Sequence, residues 1–296
     1  MATYTNLNIP RIADAALQAF VKSMTPIGRF STSFSADPVN DRQRGNVVLV
    51  PLIGTLTATT FSAYNVCGGT QTVITVTVNK HKHVPVGQKD LDALNNSNSS
   101  LDQFGAQMGA ALAQLVIEDI FTLLTTANYT SATAVASTAL DVPQLRTARL
   151  LLNQANAPKT GRVCILDCVP YDALLAVTNF VQAQMFKDQS VLQEGSIMRA
   201  LGMDFYEQNS SFGSTNSVMG FVAHPQAIAV AMRYLNPQRP DRYDDARALS
   251  DPNTGLTLGF RDHYDPNVGE RYMNLECNYG YSVGISNGAR LLKRTD

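Results

Sequence analysis

The chain has 296 residues, 23 Lys+Arg against 24 Asp+Glu, a formal charge of -1 at pH 7, 45% apolar residues and only 16% charged ones. Near-neutral charge excludes a chain built to wrap nucleic acid or coat an anionic membrane, leaving weak or local contact with DNA, and the length excludes a small scaffold needing staples. A charged fraction below the roughly 25% of an ordinary soluble domain points to a surface covered by other chains.

The N-terminus, "MATYTNLNIPRIADAALQAF", lacks the basic segment and apolar core of a secretory signal, and no apolar run reaches the roughly 18 residues that span a bilayer. A cytosolic protein without membrane contact is expected. The amphipathic segment "IADAALQAFVKSM" is followed by a polar arm, "TPIGRFSTSFSADPVNDRQRGNVVLVPLIG", which ends in the β-branched run Val47 to Ile53. From Gly54 to Gln88 apolar and polar β-type residues alternate on either side of "CGGT". That period-2 pattern with a glycine turn predicts a long two-stranded hairpin, which is marginal in water unless it lies on a neighbour.

The period then changes to that of a helix. "SSLDQFGAQMGAALAQLVIEDIFTLLTTAN" opens on a serine cap and places Leu101, Phe104, Met108, Leu112, Leu115, Ile120, Leu123 and Leu124 at intervals that predict one apolar stripe facing a sheet. Such a helix of roughly 25 residues would be about 38 Å long, a spine for the molecule. Gly105 and Gly109 are expected to let it approach that sheet closely.

Helices are predicted in "VPQLRTARLLLNQANAP" and "PYDALLAV", with a buried strand, "GRVCILDCV", between them. Strands follow in "SIMRALGMDFYEQN" and "VMGFVAH", and "PQAIAVAMRYL" reads as an Ala-rich helix starting at Pro225. The Pro/Asp/Arg-rich stretch "NPQRPDRYDDARALSDPNTG" reads as an irregular excursion. Two closing β segments, "LTLGFRDHYD" and "ERYMNLECNYGYSVGISNGARLLKR", end the chain. Strands alternating with helices argue an α/β or α+β body.

This order resembles the major capsid proteins of tailed bacteriophages. It runs from arm to β-hairpin, long spine helix, a mixed region containing "GFVAHPQAIAVAM", and terminal strands ending "YGYSVGISNGARLL". The resemblance implies an α+β fold of the Hong Kong 97 type, shared with encapsulins. It has an N-terminal arm (1–40), an extended β-hairpin loop over the neighbouring subunit (41–88) and a peripheral domain with the spine helix (89–158). An α/β apical domain (159–265) precedes closing strands that return to the peripheral domain (266–296). Residues 236–256 would form the loop at the capsomer centre. The implied function is an icosahedral shell around double-stranded DNA, assembled in the host cytoplasm from pentamers and hexamers. Its implied partners are a portal protein and DNA in weak non-specific contact, with scaffolding by a separate protein or none, and the use of decoration proteins left open. An encapsulin-like shell around a cargo enzyme is the alternative, and an ordinary cytosolic α/β enzyme a third.

Against the enzyme stands the lack of a catalytic set: no P-loop, dinucleotide fingerprint or His-Glu-x-x-His occurs. His224, before Pro225, lacks a nucleophile to serve as base and is expected to be structural. His81 and His83 share one strand face, but two ligands from one strand leave a metal site incomplete. Asp241, Asp244 and Asp245 could ligate a hard cation, though a solvated loop or cross-subunit pairing with Arg239, Arg242 and Arg247 reads better. Cys67, Cys164, Cys168 and Cys277 fit neither a disulfide framework nor zinc spacing. No catalytic, cofactor-binding or metal residue is therefore assigned, and no cofactor is expected.

Overall fold

The computed structural model describes residues 9–35, 46–53, 60, 71–90, 99–177, 197, 199–209, 212 and 217–295. The "CGGT" turn, with Cys67, lies outside them. Helix α1 (Ile9–Ser23) buries Ile12, Ala13, Ala16 and Phe20, the three-to-four spacing of a one-faced helix. Strand β1 (Ser31–Ser35) follows, then β2 (Val47–Ile53) and β3 (Gln71–Thr77), which pair antiparallel from Val47 opposite Thr77 to Ile53 opposite Gln71. The expected hairpin thus exists as a ribbon, but it does not run on to Gln88. At Lys80 the chain leaves it, and β4 (Lys80–Lys89) pairs along a closing strand from Lys80 opposite Tyr279 to Lys89 opposite Glu270. One alternating stretch therefore serves two sheets, because period 2 reports an exposed face and a covered face without naming the pairing partner.

The spine helix, α2, spans Ser99–Phe121. Its buried residues are Met108, Leu112, Ala113, Val116, Ile117, Ile120 and Phe121, whereas Phe104 and Leu115 are exposed. The expected stripe was therefore placed partly on the wrong side. Gly105 and Gly109 explain the shift: a Cβ at either would overlap the carbonyl oxygen of Ile12 or Ala16, so α2 is pressed against α1 and not directly onto a sheet there. Two helices at that distance need hydrogen where other residues carry a side chain.

Beyond α2 come β5 (Ser131–Val135), α3 (Val142–Gln154), β6 (Val163–Asp167), α4 (Cys168–Leu175), β7 (Arg199–Ala200), β8 (Met203–Gln208) and β9 (Val218–Ala223). The remaining strands are β10 (Ile228–Arg233), β11 (Asp245–Ser250), β12 (Thr257–Asp265), β13 (Glu270–Val283) and β14 (Ala289–Arg294). One six-stranded sheet has the order β1-β10-β13-β12-β11, with β4 also on β13; the other runs β5-β14-β9-β6-β8-β7. Both contain parallel and antiparallel pairs, so the class is α+β as expected.

Three expectations are corrected here. "AIAVAMR" is strand β10 and not an Ala-rich helix: Ile228, Val230 and Met232 join the main core, while Ala229 and Ala231 pack under the ribbon. A strand covered on both faces loses its polar alternation, and small residues under a close neighbour imitate helix composition. The excursion at 236–256 is not wholly irregular, since β11 pairs with β12 from Asp245 opposite Asp262 to Ser250 opposite Thr257. The last segment divides into β13 and β14, which belong to different sheets.

The main core fills the space between the sheets with α1 and α2, and Phe121 stacks on Phe212 and meets Phe221 edge-on. On the far side of the second sheet, α3 and α4 bury Leu145, Ala148, Leu152, Tyr171 and Leu174 against Cys164, Leu166, Met219 and Val222. On the far side of the first sheet lies the ribbon, whose Val48, Val50, Leu52 and Val76 cover Ala229 and Ala231.

Candidate assembly surfaces

The ribbon carries apolar residues on both faces, the outward one also bearing Thr75 and Thr77. Alternation sends Val48, Val50 and Leu52 inward, so Val47, Leu49 and Val73 point outward, at 44%, 62% and 48% exposure, with Pro51 beside them. A two-stranded ribbon needs only one apolar face to dock on its own sheet. The second is surplus to the monomer and of the kind that marks an interaction site. A smaller strip of the same sort lies on α2, where Phe104, Ala111 and Leu115 are exposed along one side.

The base of the ribbon is held by a polar hub. Lys80 Nζ lies 3.0 and 2.9 Å from the two carboxylate oxygens of Asp119 near the end of α2, and donates to the Tyr281 hydroxyl at 2.7 Å. Tyr279 donates to Asp119 at 2.7 Å and Tyr281 at 3.2 Å. Burial pushes the Asp119 pKa up, but the hydrogen bonds from Tyr279 and Lys80 outweigh it and hold it below the usual value; Lys80 is correspondingly raised. Where the ribbon crosses β13, a Cβ at Gly280 would overlap the Thr77 carbonyl oxygen. Hub and glycine together fix the angle at which the ribbon leaves the body.

The residues singled out by sequence fall elsewhere. His224 caps a 3-10 turn at Pro225–Ala227: its Nδ1 accepts from Gln226 N at 3.3 Å and its own N–H donates to Gly288 O at 2.8 Å. Burial, helped by the Arg162 charge, lowers its pKa. His81 and His83 do share an exposed face of β4, and His81 Nε2 lies 3.0 Å from Glu276, whose other oxygen is 2.7 Å from Arg261. Arg247 lies 3.4 Å from Asp245 of its own chain. Among the described residues, no group of three or more His, Cys, Asp or Glu gathers at ion-binding distance, and Cys164, Cys168 and Cys277 are free thiols. The sequence reading missed the hub, whose members lie up to 201 residues apart. Its one signal was Tyr279 and Tyr281 on the same strand face, a pattern shared by many ordinary cores.

Comparison with known proteins agrees with an assembling molecule. A family model described as phage capsid protein matches residues 40–236. No protein of curated function matches the chain. A structure from Mycobacterium phage Che8 is 19% identical, with 88% of this chain and 92% of that one covered and a TM-score of 0.53. The capsid of cyanophage P-SCSP1u is 16% identical over 90% and 87%, with a TM-score of 0.54. A virus-like particle from Pyrococcus furiosus is 10% identical over 96% and 98%, with a TM-score of 0.58. At such identities the likeness is one of fold.

Proposed function

The chain belongs to the phage capsid protein family and is a non-catalytic structural protein of the virion with the Hong Kong 97-type fold, and from that premise we propose how it builds the head. Pentamers and hexamers close into the icosahedral head of a tailed phage around double-stranded DNA, each subunit laying its ribbon on the next. The observation that carries this reading is the outward apolar face of Val47, Leu49 and Val73 on a ribbon already docked by its other face. Repeated around a closed ring, one modest interface contributes once per subunit.

In this assembly the domains follow the sheets and not the bounds 89–158 and 159–265: the body built on α2 and the first sheet, with β10 to β12, is the peripheral domain, and the sheet flanked by α3 and α4 the apical one. Assembly takes place in the host cytoplasm, with a portal protein at one vertex and separate scaffolding or decoration proteins. A compartment enclosing a cargo enzyme is a second reading, motivated by the fold likeness to the virus-like particle over 96% of the chain.

Negative-stain microscopy of the purified protein tests the shell, and Leu49→Asp with Val73→Asp tests the ribbon. The double variant should give folded protein with unchanged far-UV circular dichroism and no closed particles. Normal particles from it would remove the ribbon from the assembly interface. Nucleic acid in particles from infected cells supports the head; a co-purifying enzyme in its place supports the compartment.

A further inference from the structure

We propose that the outer face of α3 is a contact surface for duplex DNA, made by Arg146 and Arg149. This rests on the reading of the chain as a shell around nucleic acid. The charge distribution is the first observation. Between Ile120 and Leu166 the only acidic residue is Asp141, while Arg146, Arg149, Lys159 and Arg162 all lie in that span, in a chain whose overall charge is -1. Asp141 is occupied as the helix cap, its carboxylate accepting from Val142 N at 2.6 Å, with Gln144 reaching back to the Asp141 N–H at 3.2 Å.

The second observation is geometric. Leu145, Ala148 and Leu152 pin one side of α3 to the second sheet, which turns Arg146, Arg149 and the 55%-exposed Leu150 to solvent along an open groove of about 510 Å³. Residues three apart on a helix are neighbours, so the two guanidinium groups add their fields on one face. Arg162, at the foot of the helix, spends its donors on the carbonyls of Pro158 and Ala157 at 2.8 and 2.7 Å, and its charge adds to that of Arg149.

The third observation is the want of a partner. Arg29, Arg199, Arg247, Arg261 and Arg271 each have a carboxylate of the same chain within ion-pair reach. Among the described residues, no such carboxylate serves Arg146 or Arg149. Exposed like charges three residues apart repel, and a polyanion relieves that repulsion while releasing its own counterions. Arginine suits phosphate in particular, since its planar fork matches two oxygens at once. α3 also lies on the far side of the second sheet and the ribbon on the far side of the first, so the ribbon's contacts and this face do not compete. A short basic strip on a neutral protein gives weak contact that leaves packaged DNA mobile.

The test uses the full chain as unassembled subunit, titrated against an end-labelled random-sequence DNA duplex from low to physiological salt. Arg146→Gln with Arg149→Gln should weaken binding about tenfold at low salt and lower the slope of log K against log salt by roughly 1.8, two phosphate contacts at about 0.9 each. Arg146→Lys with Arg149→Lys should keep most of the slope, and both variants should form particles as the wild type does. No DNA binding by the wild type, or binding unchanged in the glutamine variant, overturns the proposal. So does a glutamine variant that folds but forms no particles, which would make this face a contact between copies. Failure of the wild-type chain to form any particle would count against the shell reading and is scored separately, by microscopy.

Discussion

Leu112 and Leu115 lie three residues apart on one helix and appear equivalent in the sequence, yet Leu112 is fully buried and Leu115 is 38% exposed. The difference comes from Gly105 and Gly109, which draw α1 onto one side of α2 and leave the other uncovered. Leu112→Asp should therefore leave the protein largely insoluble, since an unpaired buried carboxylate costs several kcal/mol. Leu115→Asp should stay soluble, with its thermal midpoint nearly unchanged and any defect confined to assembly. Equal insolubility of the two variants would show that the helix is buried all round. His224 illustrates what a residue can declare in sequence: a histidine before proline with no catalytic companions reads as a turn residue, and it caps one. His224→Asn, which keeps a side-chain acceptor for the Gln226 N–H, should assemble almost normally and melt within a few degrees of the wild type.

Elements whose period is set by one covered face were legible: α1, the core of α2, α3 and β4 lie where the residue pattern puts them, and β6 and β9, covered on both faces, were legible as short apolar runs. β10 was not, because its alternating alanines imitate helix composition and answer to a neighbour far earlier in the chain. Ala229 and Ala231 sit under Val48, Val50 and Val76, and nothing local announces that contact. The partner of β4 was hidden for the same reason, as pairing across 181 to 199 residues, from Lys89 with Glu270 to Lys80 with Tyr279, leaves no mark on either strand alone. That a long hairpin on a poorly charged chain calls for a neighbour could be read from the sequence, but not which of its residues face outward. Which residues face outward depends on which strand edge the ribbon crosses. Ala229→Leu measures this element directly. A larger side chain there has no space beneath the ribbon and should cost about 1–3 kcal/mol in overpacking or lift the ribbon from the sheet. The expected product is a folded subunit with a lowered thermal midpoint and few closed particles. Full stability with normal particles would mean that the ribbon does not rest on β10.

At the scale of the whole molecule, three segments distant in sequence meet at Asp119: the end of the spine helix, the strand that leaves the ribbon, and the closing strand β13. Cutting that junction should loosen the ribbon relative to the body without disturbing the core, and pH offers a reversible way to cut it. Because the Asp119 pKa is lower folded than unfolded, the folded state holds fewer protons near pH 4 than the unfolded one. Its contribution is complete above the ordinary carboxylate pKa and is lost as pH falls through the lower, folded value. Lys80 works in the opposite sense: its raised pKa contributes fully below the ordinary lysine value and is lost only as pH rises through the folded one. The junction is therefore intact across the neutral range and fails first on the acid side. Asp119→Asn keeps the shape but removes the charge, leaving Lys80 with a neutral acceptor. At pH 7 it should lower stability by about 2 kcal/mol, the scale of hydrogen bonds to a charged group. The loss should shrink as pH is brought below 4, where the wild-type carboxylate takes up its proton. Denaturant unfolding of wild type and variant from pH 7 down to pH 3 measures the difference directly. A gap that stays constant with pH would show that the Asp119 charge contributes nothing to the junction.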